Sequence, residues 1–157
     1  MKSGFLYVST NGGDSWDVAM SDLGKLYWTS VSISSDGSKM VAATLQDGIF
    51  RSVNSGVTWT LTSAPKEYLP SITLSSDGSK LAVAYGYGAG IYKSFDAGDS
   101  WTQTSADAQL SYESITSSSD GLKVAVCQAG DVFINNGDLG PWTLSLKKTI
   151  MLCIVGN

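Results

Sequence analysis

Arg51 is the only arginine in the chain, and no histidine occurs among its 157 residues. These two facts bound the available chemistry before any fold is considered. Without imidazole, neither a Ser-His-Asp relay nor a histidine metal site can be built. Fourteen Asp and Glu remain as acids and bases, and two carboxylates on facing loops could hydrolyse a glycosidic bond. The acids free for that work are few, with Asp22, Glu67 and Asp131 the clearest candidates. Asp36, Asp77 and Asp120 stand in Asp-Gly steps, and Asp14, Asp96 and Asp99 in a second kind of turn, where a carboxylate serves the backbone. Tyr85-Gly86-Tyr87-Gly88-Ala89-Gly90 has Gly-x-Gly spacing, but it joins two strands and opens no helix, so it is not read as a phosphate cradle. No catalytic residue, cofactor or metal is expected, because the acidic oxygens at any one turn are too few for a calcium ion.

Ten Lys plus Arg stand against the fourteen acids, and the longest basic run is Lys147-Lys148. Nucleic acid is excluded as a partner, since phosphate neutralisation needs a clustered cationic face. Met1 to Tyr7 is too short an apolar run for an export signal, which leaves the compartment open, and Thr149 to Val155 is too short for a membrane span. Cys127 and Cys153 each lie in an apolar run and read as small buried hydrophobes.

The elements that must position these residues are set by a repeat. Trp16, Trp59, Trp101 and Trp142 are separated by 43, 42 and 41 residues. Before the first three lie related octets, Ser9-Thr10-Asn11-Gly12-Gly13-Asp14-Ser15-Trp16, Ser52-Val53-Asn54-Ser55-Gly56-Val57-Thr58-Trp59 and Ser94-Phe95-Asp96-Ala97-Gly98-Asp99-Ser100-Trp101. They share Ser-x-Asp/Asn-x-Gly-x-Ser/Thr-Trp. A second series recurs in step: Ser34-Ser35-Asp36-Gly37, Ser75-Ser76-Asp77-Gly78 and Ser118-Ser119-Asp120-Gly121. Between the turns run short segments rich in Val, Ile, Tyr and Thr, so each unit predicts a four-stranded antiparallel meander, strands A to D. The whole chain, residues 1–157, is expected to be one all-β domain of about four such units.

These octets resemble the Asp-box, or BNR, repeat of sialidases, sortilin-type receptors, xyloglucanase-type glycosidases and photosystem-assembly propellers. The resemblance covers nearly the whole chain and implies a β-propeller of about four Asp-box blades. It also implies structural roles for Asn11, Gly13, Trp16, Asn54, Gly56, Trp59, Asp96, Gly98, Trp101 and Trp142, with the Asx side chain closing the C to D turn and the Trp packing between strands. Asn135-Asn136-Gly137-Asp138-Leu139-Gly140-Pro141-Trp142 keeps the Trp but places Gly137 at the Asx position, a degenerate fourth copy. Sialidase chemistry would need an arginine cluster, and Arg51 alone cannot form one.

The chain enters at a C strand, Leu6 to Ser9, and passes its last D strand before Thr149 to Val155, which could serve as a further A strand. Open sheet edges at both ends predict a ring completed by oligomerisation, a homodimer first and a self-closed four-bladed monomer second. In the family that the octets resemble, function lies on the face opposite the boxes, made of D to A and B to C connections. Here these are Asp17 to Tyr27, Thr62 to Pro70, Thr104 to Tyr112, Leu45 to Gly48, Tyr85 to Gly90 and Gln128 to Asp131. They carry Tyr27, Trp28, Tyr68, Tyr85, Tyr87 and Tyr112 as candidate ligand-binding aromatics for a glycan or a protein partner. Trp28 and Tyr112 are expected to be packing residues, while Tyr85 and Tyr87 are open between the two roles. The expected function is a non-catalytic binding or assembly module, with part of a propeller glycoside hydrolase as the alternative.

Overall fold

The computed structural model describes residues 2–68, 70–137 and 140–146. The proposed further A strand, Cys153 and Lys147-Lys148 lie outside them. The described chain is all-β apart from one 3-10 turn, Ser21–Leu23. A first sheet pairs β1 (Leu6–Val8) with β2 (Asp17–Ala19). Three four-stranded antiparallel sheets follow: β3 (Trp28–Ile33), β4 (Met40–Thr44), β5 (Ile49–Ser52) and β6 (Thr60–Leu61); β7 (Ser71–Leu74), β8 (Leu81–Ala84), β9 (Ile91–Ser94) and β10 (Thr102–Gln103); β11 (Ser114–Ser117), β12 (Lys123–Gln128), β13 (Asp131–Asn136) and β14 (Thr143–Leu146). Each sheet is a meander in sequence order, as the doubled turns predict. Two boundaries differ from the sequence reading. Asp17–Ala19 is a strand, not the start of a loop, because it pairs with Leu6–Val8 in register. Gln128 and Asp131 face each other across the β12–β13 ladder, so the expected B to C loop is a two-residue turn, with Ala129 at φ 49° and Gly130 at φ 89°.

Every residue of β4 and of β8 is buried. A strand that is apolar on both faces must be sandwiched, and here a sheet packs on either side. One core gathers Val41, Ala43, Ile49, Ile72, Leu74 and Val83 between the second and third sheets; the next gathers Ala82, Ala84, Ile91, Ile115, Val124 and Val126 between the third and fourth. The small alanines let the sheets approach. Hydroxyls of the first strands then tie sheet to sheet: Thr29 Oγ1 donates to Pro70 O at 2.7 Å, and Ser71 Oγ accepts from Ile115 N at 3.3 Å. The outermost strands β6 and β10 are two exposed residues each, a short edge that discourages further pairing.

The Asp-Gly hairpins build themselves. Ser34 Oγ donates to Asp36 Oδ1 at 2.7 Å, Ser38 N donates to the same oxygen at 2.9 Å, and Gly37 takes φ 72°. Asp77 and Asp120 repeat the pattern. Backbone bonds then link the hairpins in a row, Ser35 N to Ser76 O at 2.9 Å and Ser76 N to Ser119 O at 2.7 Å.

The three octets share one hydrogen-bond plan. In the second, Ser52 Oγ donates to Asn54 Oδ1 at 3.0 Å and accepts from Gly56 N at 2.9 Å, Asn54 Oδ1 accepts from Thr58 N at 2.9 Å, and Trp59 Nε1 donates to Gly56 O at 3.0 Å. Asn11 and Asp96 act alike in theirs. The hydroxyl at the seventh position adapts: it accepts from the Asn11 and Asn54 amides but donates to Asp96. Trp59 and Trp101 are half-buried as expected of packing residues, whereas Trp16 is 61% exposed on the two-stranded end sheet. The fourth copy is rebuilt around Asn135, whose Nδ2 donates to Gly140 O at 2.7 Å, and Trp142 Nε1 turns to Thr104 Oγ1 at 3.2 Å.

Hydrogen bonding from the Ser34 hydroxyl, then from Ser38, lowers the Asp36 carboxyl to about 2; the Ser100 hydroxyl chiefly does the same for Asp96, again to about 2. Asp77 and Asp120 are lowered chiefly by Ser75 and Ser118. Carboxyls lowered by folding stabilise the native state above their unfolded value of about 3.9, and that contribution is lost as pH falls through the folded values. Urea titrations at stepped pH should therefore show stability falling between about pH 4 and pH 2, and Asp36→Asn combined with Asp77→Asn should flatten that limb. An acid limb unchanged in the double variant would contradict this assignment.

Candidate functional site

The octet turns lie against the Asp-Gly hairpins of their own sheets, through Ser55 N to Ser38 O at 2.9 Å and Ala97 N to Ser79 O at 2.8 Å. The remaining connections therefore gather on the opposite edge. There the structure sorts the six candidate aromatics into two groups.

Three are structural. Trp28 is half-buried, donates Nε1 to Gly4 O at 3.0 Å and meets the Phe50 ring edge-on at 5.9 Å. Tyr112 is 4% exposed, its hydroxyl donating to Asp107 O at 3.0 Å, and burial raises it to about 12. Tyr85 is the correction. The sequence leaves it open as a ligand aromatic, yet it is fully buried, its hydroxyl donates to Pro65 O at 2.6 Å, and burial pushes its ionisation up. The reason is positional: Tyr85 continues the buried run of β8, and the chain bends outward only at Gly86.

Three are open: Tyr27 at 44%, Tyr68 at 47% and Tyr87 at 76% exposure. Tyr68 and Tyr87 come from connections that precede and follow β7–β8, yet their rings meet edge-to-face, 6.1 Å apart at 85°. Tyr87 is held in the left-handed region at φ 58°, where its N donates to Ser111 Oγ at 3.1 Å. Holding a bulky residue there costs about 1–3 kcal/mol, which the surrounding loop must sustain. The Gln46 amide donates to the Tyr68 hydroxyl. Gln46 and Ser111 escape the sequence reading; their only signal is a polar side chain within the same connections. The arrangement is an exposed aromatic corner with an amide at its rim, suited to a flat apolar surface with polar edges.

The candidate acids are not gathered in the same way. Asp22 lies in the 3-10 turn before β3, Glu67 in the connection before β7 and Asp131 on β13 as its first residue, each belonging to a different part of the chain. Among the described residues no group of three acids or cysteines could hold a metal. Cys127 is buried on β12, as a small apolar side chain in that run should be.

A second feature unites the sheets and has no counterpart in the sequence reading. The residue before each octet reaches the next sheet's octet. Val8 lies under Gly56, Arg51 Nη1 donates to Ala97 O at 2.6 Å while Nη2 pairs with Asp99, and Lys93 Nζ donates to Asn135 Oδ1 at 2.8 Å and Gly137 O at 2.7 Å. Arg51 is thus engaged in holding two sheets together, on the octet side of the molecule.

No protein-family model matches the chain, and no curated protein matches it in sequence. Solved structures do match. A GH74 enzyme from Niastella koreensis is 20% identical with a TM-score of 0.65, covering 92% of this chain and 24% of its own. YCF48 bound to D1 peptide is 13% identical with a TM-score of 0.64, covering 78% and 41%. A chain of the nidogen/laminin complex is 15% identical with a TM-score of 0.67, covering 87% and 54%. The chain therefore spans between about a quarter and about half of these matched chains. Repeated four-stranded meanders stacked face to face, together with this likeness, define a fold of the β-propeller class. The neighbours include GH74 enzymes, YCF48 bound to D1 peptide and TolB from Acinetobacter baumannii, so the fold alone assigns no activity.

Proposed function

We propose that the chain is a non-catalytic binding module of an Asp-box propeller, and that Tyr68 and Tyr87 form its ligand platform for a pyranose sugar. One observation carries this reading: two exposed tyrosines from separate connections are locked edge-to-face beside the Gln46 amide. A tyrosine face stacks on the C–H face of a sugar ring, and the amide and hydroxyl at the rim suit its hydroxyl groups. Xyloglucan oligosaccharide is the first probe, since one solved neighbour is a GH74 xyloglucanase from Xanthomonas campestris, 15% identical with a TM-score of 0.59.

Calorimetric titration should give saturable binding, weakened about tenfold by Tyr87→Ala and by Tyr68→Ala, a loss of about 1.4 kcal/mol each. New reducing ends in the same mixture would favour the glycoside hydrolase reading, with Asp22, Glu67 and Asp131 to be replaced in turn. Binding indifferent to both tyrosines would remove the platform from the account.

A further inference from the structure

Asn-Gly occurs twice in the sequence, at Asn11-Gly12 and at Asn136-Gly137. In this pair an asparagine side chain reacts most readily with its own backbone, because glycine has no Cβ to keep its nitrogen from the side-chain carbonyl carbon. Packing shields neither pair, since an added Cβ on Gly12 or Gly137 would meet nothing within 4 Å. The two asparagines nevertheless differ. Asn11 is held by its octet: Oδ1 accepts from Ser9 Oγ at 2.9 Å and from Ser15 N at 3.0 Å, and Nδ2 donates to Ser15 Oγ at 2.9 Å. Its Cγ cannot turn toward Gly12 N without breaking all three bonds. In the degenerate fourth copy the bonding falls to Asn135 instead, which leaves Asn136 without a turn to close. Asn136 ends β13 exposed, and its side chain makes no hydrogen bond among the described residues. Gly137 N is held only by Asn135 Oδ1, at 3.4 Å.

We propose that Asn136 is a site of spontaneous deamidation and that the octet protects Asn11 from the same reaction. Gly137 N gives up its proton to solvent and attacks Asn136 Cγ. The N–Cγ bond forms, the Cγ–Nδ2 bond breaks, and Nδ2 leaves as ammonia, carrying a proton taken back from solvent. Water then adds to either carbonyl of the resulting succinimide and opens it to aspartate or isoaspartate. No oxidant, reductant or enzyme enters the balance. The position gives the product a consequence, because Asn136 lies between the two residues that hold the buried Lys93, whose Nζ donates to Asn135 Oδ1 at 2.8 Å and to Gly137 O at 2.7 Å. Isoaspartate puts one more carbon into the main chain between those acceptors, so deamidation loosens the tie between the third and fourth sheets. None of these residues belongs to the tyrosine corner.

The test ages the folded full chain in mildly alkaline buffer. Trypsin places the two asparagines in separate peptides, Ser3–Lys25 and Val124–Lys147, and tandem mass spectrometry assigns the exchange of an amide nitrogen for oxygen to its residue. Asn136 should convert faster than Asn11 by about tenfold or more, a gap set by the three bonds that Asn11 must break. In guanidinium-denatured chain the two rates should converge, and Gly137→Ala should slow conversion at Asn136 in either state. The urea midpoint of the aged chain should fall with its isoaspartate content, whereas that of aged Asn136→Gln should stay at its fresh value. Equal rates at Asn11 and Asn136 in the folded chain would overturn the proposal, and so would conversion confined to the denatured chain. Isoaspartate formed from Asn136 that leaves the urea midpoint unchanged would overturn the coupling to Lys93.

Discussion

Replacing Tyr85 by alanine is expected to lower unfolding free energy by about 3–5 kcal/mol, the range for removing a large buried aromatic side chain. Tyr85 has no exposed surface, belongs to the core between the second and third sheets, meets Tyr92 edge-on at 5.9 Å and anchors Pro65 through its hydroxyl. Truncation opens a cavity where two sheets and a connection meet. Tyr85→Phe keeps the packing and loses only the bond to Pro65 O, so it should cost about 1–3 kcal/mol. Urea midpoints of the three proteins order the outcomes. Equal loss in both variants would mean that the hydroxyl, not the ring, holds the junction. A loss below about 1 kcal/mol for alanine would contradict the buried position.

The second large effect is expected at Gly56. Its φ is 83°, and an added Cβ would lie 3.1 and 3.2 Å from the two methyls of Val8 and 3.4 Å from Met40 Sδ. Left-handed backbone costs an L-residue about 1–2 kcal/mol, and forcing a methyl into filled space costs a further 1–3 kcal/mol or so. Gly56→Ala should therefore destabilise by about 2–5 kcal/mol and push β1 off the second sheet. Gly12 supplies the control, since at φ 71° it has nothing within 4 Å of a Cβ. Gly12→Ala should show the backbone cost alone, about 1–2 kcal/mol. Equal losses at the two glycines would remove Val8 from the inter-sheet contact.

The contrast between these positions shows what a single sequence can carry. The octets and Asp-Gly steps are local: Ser52, Asn54, Gly56 and Thr58 bond to one another within seven residues, so their spacing announces the turn, and the turns delimit the strands. Relations between repeats are weaker in the sequence. Val8, Arg51 and Lys93 stand at one register position and reach the next octet, yet the first is apolar and the other two are cationic, because each meets a different octet. The tyrosine corner was half legible. Its aromatics lie in the right connections, but Tyr85 and Tyr87 are two residues apart with opposite fates, and the backbone bend at Gly86 decides between them. Gln46 joins the corner only through a contact 22 residues away, which no local pattern encodes.

The central claim is that the edge opposite the octets binds ligand through Tyr68 and Tyr87. The most direct measurement is an amide chemical-shift titration of the isotope-labelled chain with xyloglucan oligosaccharide. The account predicts saturable shifts concentrated at Gln46, Tyr68, Gly86 to Gly88 and Ser111, and their loss in Tyr87→Ala. Shifts confined to the octets and Asp-Gly hairpins, or no shifts at millimolar sugar, would contradict it.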